Sequence, residues 1–88
     1  PLYEIRFIEV HSNYITIHAS EEITVKMTLS ALEKKLDESF FRTGRSYIVN
    51  MRYIRKITKT EAVLEGGNSI PLPRGCYEPL NRAFIQYF

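Results

Sequence analysis

The sequence contains a single cysteine and no long hydrophobic run. Because an internal disulfide needs two cysteines, Cys76 cannot form one, and this cysteine usage fits a reducing compartment, with the cytoplasm as the expected location. A membrane helix would need about 18 consecutive apolar residues. The chain also begins with Pro-Leu-Tyr-Glu, which lacks the charged start and apolar middle of a signal peptide. We therefore expect a soluble domain that makes no membrane contact.

Side chains suited to catalysis or metal binding are equally scarce. His11, His18 and Cys76 are the plausible bases and nucleophile, and their spacing matches no activated pair. No companion Cys or His stands at metal-ligand spacing from the histidines. Gly66-Gly67 lacks the strand-to-helix context and the following Lys-Ser or Lys-Thr of a phosphate-binding loop. The sequence thus predicts a protein that is not an enzyme, has no cofactor or metal, and keeps Cys76 as a half-buried structural residue.

What the sequence does have is enough apolar material for one packed core. Its 88 residues are 44% hydrophobic and 12% aromatic, which suits one domain over residues 1–88 and falls short of two independent cores. A strand-like pattern begins within a few residues of Pro1. We therefore expect a domain that belongs to a longer polypeptide.

Alternating apolar and polar positions predict a mainly β (α+β) domain. The predicted strands cover residues 5–10, 14–19, 23–27, 47–51, 53–58, 62–64 and 69–72. The first strand loses its alternation at Phe7-Ile8, which indicates a bulge or burial on both faces. Pro71 and Pro73 cannot donate to a ladder, so the last strand should lie at a sheet edge.

Two short helices are predicted beside the strands. Leu29, Leu32 and Leu36 form one helical stripe after strand three, which predicts a helix of about two to three turns. Thr28 or Ser30 can serve as its N-cap. Leu80, Phe84 and Phe88 recur at the spacing of a short C-terminal helix, which we expect to begin near Pro79.

Positive charge is concentrated in one segment. Residues 39–60 contain six basic and no acidic residues, whereas residues 1–38 and 61–88 are each mildly acidic. The six are Arg42, Arg45, Arg52, Arg55, Lys56 and Lys59. Strand-forming apolar residues alternate with them, so the charges are fixed on a folded scaffold. Such a segment suits phosphate binding, but charge alone is equally typical of a solvated strand face.

The stretch FFRTGRSYIVNMRYIRKI, which lies within this segment, resembles the signature of the LytTR family of DNA-binding domains. The matching residues are Arg42, Arg45, Ser46, Tyr47, Val49, Asn50 and Ile54. The resemblance extends to IRFIEVHSNYITIH, TLSALEKKL and IPLPRGCYEPL, so it covers nearly the whole chain. Several motifs in family-like order are specific, although no single one is.

The resemblance implies an elongated arrangement of small antiparallel β-sheets, with one short helix after strand three and a short C-terminal helix. It also implies sequence-specific binding of double-stranded DNA by three loops that enter successive major grooves. Contacts to bases or grooves are thereby assigned to His11, Asn13, Arg45 and Arg74. Arginine suits this task because its planar fork pairs with guanine O6 and N7, which lysine cannot reproduce.

Contacts to the DNA backbone, or positions near it, are assigned by the same resemblance to Ser12, Arg42, Gly44, Ser46, Arg55, Lys56 and Lys59. Such contacts position the protein without reading sequence. Arg52 is a further phosphate candidate, although strand alternation places it opposite Arg55. Asn50 is expected to be structural. The sequence departs from the family pattern at Gly44, where many relatives have His, and at Pro73, where many have Ser, so affinity or site preference should differ.

The function implied is transcription regulation as the output domain of a two-component response regulator. The implied partners are promoter direct repeats, a second copy of the protein on the DNA, and an upstream receiver domain that these residues do not include. The alternative is a β-rich protein-interaction module whose basic strand binds an acidic partner and has no preference for duplex DNA. A third hypothesis, an enzyme that uses Cys76 or the histidines, lacks the required constellation.

Overall fold

A computed structural model describes residues 2–88; Pro1, on which the expectation of a preceding segment rests, lies outside them. Within these residues the strands are β1 (Phe7–His11), β2 (Tyr14–His18), β3 (Glu22–Lys26), β4 (Phe40–Arg42), β5 (Tyr47–Asn50), β6 (Ile54–Ile57), β7 (Glu61–Leu64) and β8 (Ser69–Pro71). The helices are α1 (Leu29–Glu33) and α2 (Tyr77–Tyr87), with 3-10 turns at Leu2–Glu4 and Met51–Tyr53. The mainly β fold with two short helices is confirmed.

The strands form two antiparallel sheets. The first has the order β3-β2-β1-β5-β4 and the second the order β6-β7-β8. The last strand, β8, lies at a sheet edge, as its prolines predicted. The principal extents are 31 × 24 × 23 Å, so one axis is longer than the other two.

The central strand β1 separates two apolar clusters. Phe7 packs with the second sheet and α2, in a cluster that includes Leu64 and Leu80. Ile8 packs on the opposite face with Ile15 and with residues of α1. Burial on both faces therefore explains the lost alternation at Phe7-Ile8, and β1 pairs with β2 and β5 in unbroken register.

The helix after strand three is shorter than predicted. The hydroxyl of Thr28 accepts a hydrogen bond from the amide of Ala31 at 3.2 Å, which makes Thr28 the N-cap. The helix ends at Glu33, and the prediction of two to three turns was wrong. The amides of Lys35 and Leu36 donate hydrogen bonds to the carbonyl oxygens of the residues three positions earlier, as in a 3-10 turn. These tighter turns follow the helix and keep Leu36 packed against the apolar cluster of the first sheet.

Other elements also differ from the prediction. Strand β4 was missed because its three residues are too few to show alternation. The strand predicted to begin at Tyr53 begins at Ile54, because Asn50 caps a 3-10 turn over Met51–Tyr53. Helix α2 begins at Tyr77, before the proline expected to start it, since an amide within the first helical turn has no intrahelical partner and Pro79 is tolerated there.

Candidate nucleic-acid interface

Three loops lie at one end of the two sheets. Loop 1 comprises residues 11–13, between β1 and β2; loop 2 comprises residues 43–46, between β4 and β5; loop 3 comprises residues 72–75, between β8 and α2. The amide of Val10 donates to the carbonyl oxygen of Ser46 at 2.8 Å, which joins loop 1 to loop 2. Gly44 of loop 2 packs against Pro73 of loop 3. The structure thus brings together all three segments that the sequence assigned to DNA.

Loop 1 is a tight turn with exposed polar side chains. Ser12 has a φ of 55°, which is uncommon outside glycine and lets the chain reverse between His11 and Tyr14. His11, Ser12 and Asn13 are all exposed. Nε2 of His11 lies 3.2 Å from Oε2 of Glu9, two residues earlier on the same face of β1. The ring of His11 is therefore held beside a carboxylate behind the loop.

That carboxylate is the centre of a small polar cluster. Nε2 of His18 donates to Oε1 of Glu9 at 2.9 Å, and the ring of His18 stacks on Phe7 with centroids 4.1 Å apart. The hydroxyl of Tyr47 lies 3.5 Å from Oε2 of Glu9. Partial burial raises the pKa of Glu9, but the hydrogen bond from His18 and the charges of the two histidines outweigh it and leave the pKa below its ordinary 4.5. Glu9 was not predicted as part of the site, because a lone acidic residue in a strand gives no signal of its neighbours.

Loop 2 is anchored on both sides of its exposed tip. Thr43 is 5% exposed, and its amide and hydroxyl both donate to the carbonyl oxygen of Tyr47, at 3.1 and 3.2 Å. Arg42 donates from Nε to the carbonyl oxygen of Gly44 at 2.8 Å. Arg45 and Ser46 then stand exposed at the tip, which presents Arg45 outward on a fixed backbone.

Loop 3 presents Arg74 at the corner of a tight turn. The amide of Cys76 donates to the carbonyl oxygen of Pro73 at 3.0 Å and closes a four-residue turn. Gly75, at the third position, has a φ of 86°, the left-handed value that a type II turn requires there. Arg74 is exposed at the second position. It borders a shallow cleft of about 330 Å³ with Lys59.

Arg45 stands between two further clefts. One, of about 440 Å³, lies between loops 1 and 2 and is lined by Ser12, Asn13, Lys26 and Arg45, among others. The other, of about 510 Å³, lies between loops 2 and 3. Lys26 was not predicted as part of this surface. The antiparallel register could have indicated it, since Lys26 pairs with Tyr14 and therefore lies at the end of the sheet next to loop 1.

The basic residues of the middle segment fall into two groups. Arg55 and Lys56 are consecutive, yet both are exposed on β6 because the pairing with β7 shifts between Ile54 and Lys56. Within residues 2–88 these two side chains form no ion pair, and neither do Arg45, Lys59 and Arg74. The five therefore offer uncompensated positive charge to a ligand.

Arg42 and Arg52 form the second group, because each is bound within the fold. Nη1 of Arg42 lies 2.9 Å from Oε1 of Glu33 on α1. Nε of Arg52 donates to the hydroxyl of Tyr87 on α2 at 2.9 Å, and Nη2 lies 3.7 Å from a carboxylate oxygen of Asp37. These contacts give both arginines structural partners and tie Arg52 to the last turn of α2.

Asn50 has the structural role that was expected. Its side chain is fully buried, donates from Nδ2 to the carbonyl oxygen of Ile5 at 2.8 Å, and accepts from the amide of Arg52 at 3.0 Å. Cys76 is half-buried against the core, and this burial raises the pKa of its thiol above 9.0. Both residues therefore serve the fold beneath the loops.

No group of three or more His, Cys, Asp or Glu side chains within residues 2–88 is arranged to hold a metal ion. In the same part of the chain, no helix is long and apolar enough to cross a membrane.

Comparisons with known proteins relate this chain and its fold to one family. The profile of the LytTr DNA-binding domain matches residues 1–85. A solved LytTr DNA-binding domain, from a Bacillus cereus protein named as a methyl-accepting/DNA response regulator, is similar with a TM-score of 0.80 and 26% sequence identity. The similarity covers 97% of this chain and 84% of that one. No curated protein matches the chain.

Proposed function

The chain belongs to the LytTR family of DNA-binding domains, and from that premise we propose that loops 1, 2 and 3 enter successive major grooves of double-stranded DNA and select its sequence. Membership confirms the resemblance stated from the sequence motifs. The family is a DNA-binding family and not a catalytic one, which agrees with the missing catalytic constellation. DNA is therefore the partner, and the proposal concerns how it is bound.

The observation that carries the proposal is the continuity of the three loops. They come from three separate parts of the chain, yet a backbone hydrogen bond joins the first two and a packing contact joins the last two. Two exposed cations stand on this surface, Arg45 in loop 2 and Arg74 in loop 3, and neither has an ion-pair partner among residues 2–88. Phosphates are attracted by this exposed positive charge, so this end is the one suited to DNA.

The side chains take two roles in this account. Arg45 and Arg74 read bases, since a guanidinium fork can pair with guanine at about 1–3 kcal/mol of discrimination per contact, and His11 and Asn13 contact bases or the groove from loop 1. Phosphates are held by Ser12, Ser46, Arg55, Lys56 and Lys59, and Gly44 lies near the DNA backbone without contacting it. Lys26 joins this set because it lines the cleft between loops 1 and 2. Arg42 acts through the fold, since its charge is already paired with Glu33.

In the intact protein, the domain acts as the cytoplasmic output module of a two-component response regulator. We propose that two copies bind direct repeats in a promoter and that an upstream receiver domain controls them. Each copy presents one end of the molecule to the duplex, so a half-site read by one copy is short. A second copy on a repeated half-site would add affinity through proximity on the same DNA.

The test is a comparison of Arg45→Ala and Arg74→Ala on duplexes selected from a randomised pool and on random duplex. We expect each variant to lose roughly tenfold or more on the selected duplex and much less on random duplex, because a base contact is lost. Arg82→Ala removes an exposed arginine of α2 outside the loops and serves as the control. If no duplex is ever enriched, or if an acidic protein competes better than any duplex, the protein-interaction alternative replaces this proposal.

A further inference from the structure

Gly44 and Pro73 approach each other so closely that any side chain larger than hydrogen at position 44 would force a shift of the Pro73 ring. A Cβ atom on Gly44 would lie 2.8 Å from Cγ of Pro73, whereas carbon atoms in favourable contact are about 3.5–4.0 Å apart. Gly44 is not among the glycines with positive φ, which are Gly66, Gly67 and Gly75. Its backbone conformation is therefore open to any residue, and the neighbouring proline ring is what requires glycine.

Each of these two residues directly precedes a proposed base-reading arginine. Gly44 precedes Arg45 at the tip of loop 2, and Pro73 precedes Arg74 in loop 3. The contact between the loops is thus one residue away from both arginines. A shift of either backbone would move the corresponding guanidinium relative to the other.

Both residues are also held from behind. The carbonyl oxygen of Gly44 accepts a hydrogen bond from Arg42, whose guanidinium is itself paired with Glu33 on α1. Pro73 has a fixed φ because of its ring, and its carbonyl oxygen closes the turn that presents Arg74. Leu72, just before it, is 8% exposed, and its amide donates to the carbonyl oxygen of Thr60 at 2.8 Å. The contact therefore joins two anchored segments and not two mobile ones.

We propose that Gly44 and Pro73 are positioning residues that lock loops 2 and 3 into one unit and thereby fix the separation of Arg45 and Arg74 for DNA site selection. The inference rests on the proposed function, because it takes the two arginines as the base readers. It adds that the base contacts of Arg45 and Arg74 depend on each other, because DNA must match both arginines at one fixed separation. A substitution that touches neither DNA nor an arginine should then change site preference.

The experiment uses Gly44→Ala, Pro73→Ala and the double variant, with affinity measured on a selected duplex and on random duplex. Gly44→Ala should push Pro73 away and lose roughly tenfold on the selected duplex, the size of one base contact, with less than about twofold change on random duplex. In the double variant the smaller side chain at position 73 makes room for the new Cβ. Its affinity for the selected duplex should return to within about threefold of the parent protein.

Gly67→Ala is the matched control. Gly67 lies in the turn before β8, at the opposite end of that strand from loop 3, and a Cβ there meets nothing within 4 Å. Its φ of 95° makes alanine strained, so the variant should lower the melting temperature without changing the ratio of selected to random affinity. If Gly44→Ala proves too unstable for binding assays, the same rescue is read in the melting temperature of the double variant.

The outcomes separate this inference from the proposed function. Site preference that survives both Arg45→Ala and Arg74→Ala would overturn the proposed function and the inference with it. Preference that is lost in those variants, together with a Gly44→Ala variant that binds like the parent, would overturn the inference alone. A double variant that loses the product of the two single effects would also overturn it, because independent sites add and a shared contact does not.

Discussion

Arg42 donates from Nη1 to Oε1 of Glu33 at 2.9 Å, and this pair joins the end of β4 to the short helix α1. Both side chains are more than a third exposed, so the pair by itself contributes little to stability. Its importance is electrostatic and positional, because the same guanidinium holds the carbonyl oxygen of Gly44. A basic residue that the sequence assigned to the DNA backbone is thus compensated within the protein.

Salt dependence of DNA binding should distinguish Arg42 from Lys59. Each free cation that neutralises a phosphate contributes about 0.9 to the slope of log affinity against log salt. We expect Lys59→Ala to reduce the slope by about 0.9 and Arg42→Ala to reduce it by clearly less, although it weakens site preference through loop 2. Equal changes of slope in the two variants would mean that Arg42 leaves Glu33 to bind a phosphate.

Removing the side chain of Asn50 should destabilise the fold. Asn50→Ala leaves the carbonyl oxygen of Ile5 and the amide of Arg52 without partners in a buried site. We expect a loss of about 2–4 kcal/mol in the free energy of unfolding, measured by urea denaturation. Asn68→Ala, at an exposed turn position, is the control and should cost far less. A loss below about 1 kcal/mol for Asn50→Ala would mean that water satisfies both groups.

Acid should weaken the fold through Glu9 and Asp37. The histidines beside Glu9 leave its pKa below 4.5, and hydrogen bonds from the hydroxyl and amide of Ser39 lower the pKa of Asp37 below 3.8. Because both pKa values are lower in the folded state than in the unfolded chain, this stability is fully present above about pH 4.5 and is lost as the pH falls through the folded-state values. Urea midpoints between pH 7 and pH 3 should show the decline. Glu9→Gln should flatten it in part, and an unchanged pH profile in Glu9→Gln would contradict the role of the cluster.

Cys76 should react slowly and be dispensable for DNA binding. Burial raises the pKa of its thiol, and the thiolate is the reactive form. Alkylation at pH 8 should therefore be slower in the folded protein than in urea. Cys76→Ala should bind a selected duplex within about twofold of the parent. Rapid alkylation that also abolishes DNA binding would contradict this prediction and indicate that the thiol of Cys76 has a functional role.

The sequence predicted the repetitive and local features of this molecule. Hairpin β2–β3 has clean alternation, and loop 1 has the residues of a tight turn, so both could be placed without coordinates. Arg45 and Arg74 were assigned to DNA through motifs of the family resemblance, and their roles stay a prediction. Their exposure follows from local chemistry, since Arg74 stands between Pro73 and Gly75 in a tight turn.

Contacts between distant residues could not be predicted in this way. Gly44 and Pro73 are far apart in sequence, and neither residue type indicates the other. The partners of Arg42 and Arg52 come from α1 and α2, whose packing against the sheets decides which basic residues remain uncompensated. The position of Lys26 beside loop 1 could be predicted only by counting along the antiparallel register to its partner Tyr14.

The most direct test of the account is the anisotropy of a labelled selected duplex and of random duplex, titrated with the protein across a salt series. Binding through about 4–6 phosphates predicts a slope of log affinity against log salt near −4 to −5, with the selected duplex bound more tightly at every salt concentration. Affinity that does not depend on salt, or that is equal for the two duplexes, would contradict the claim that the three loops bind DNA and select its sequence.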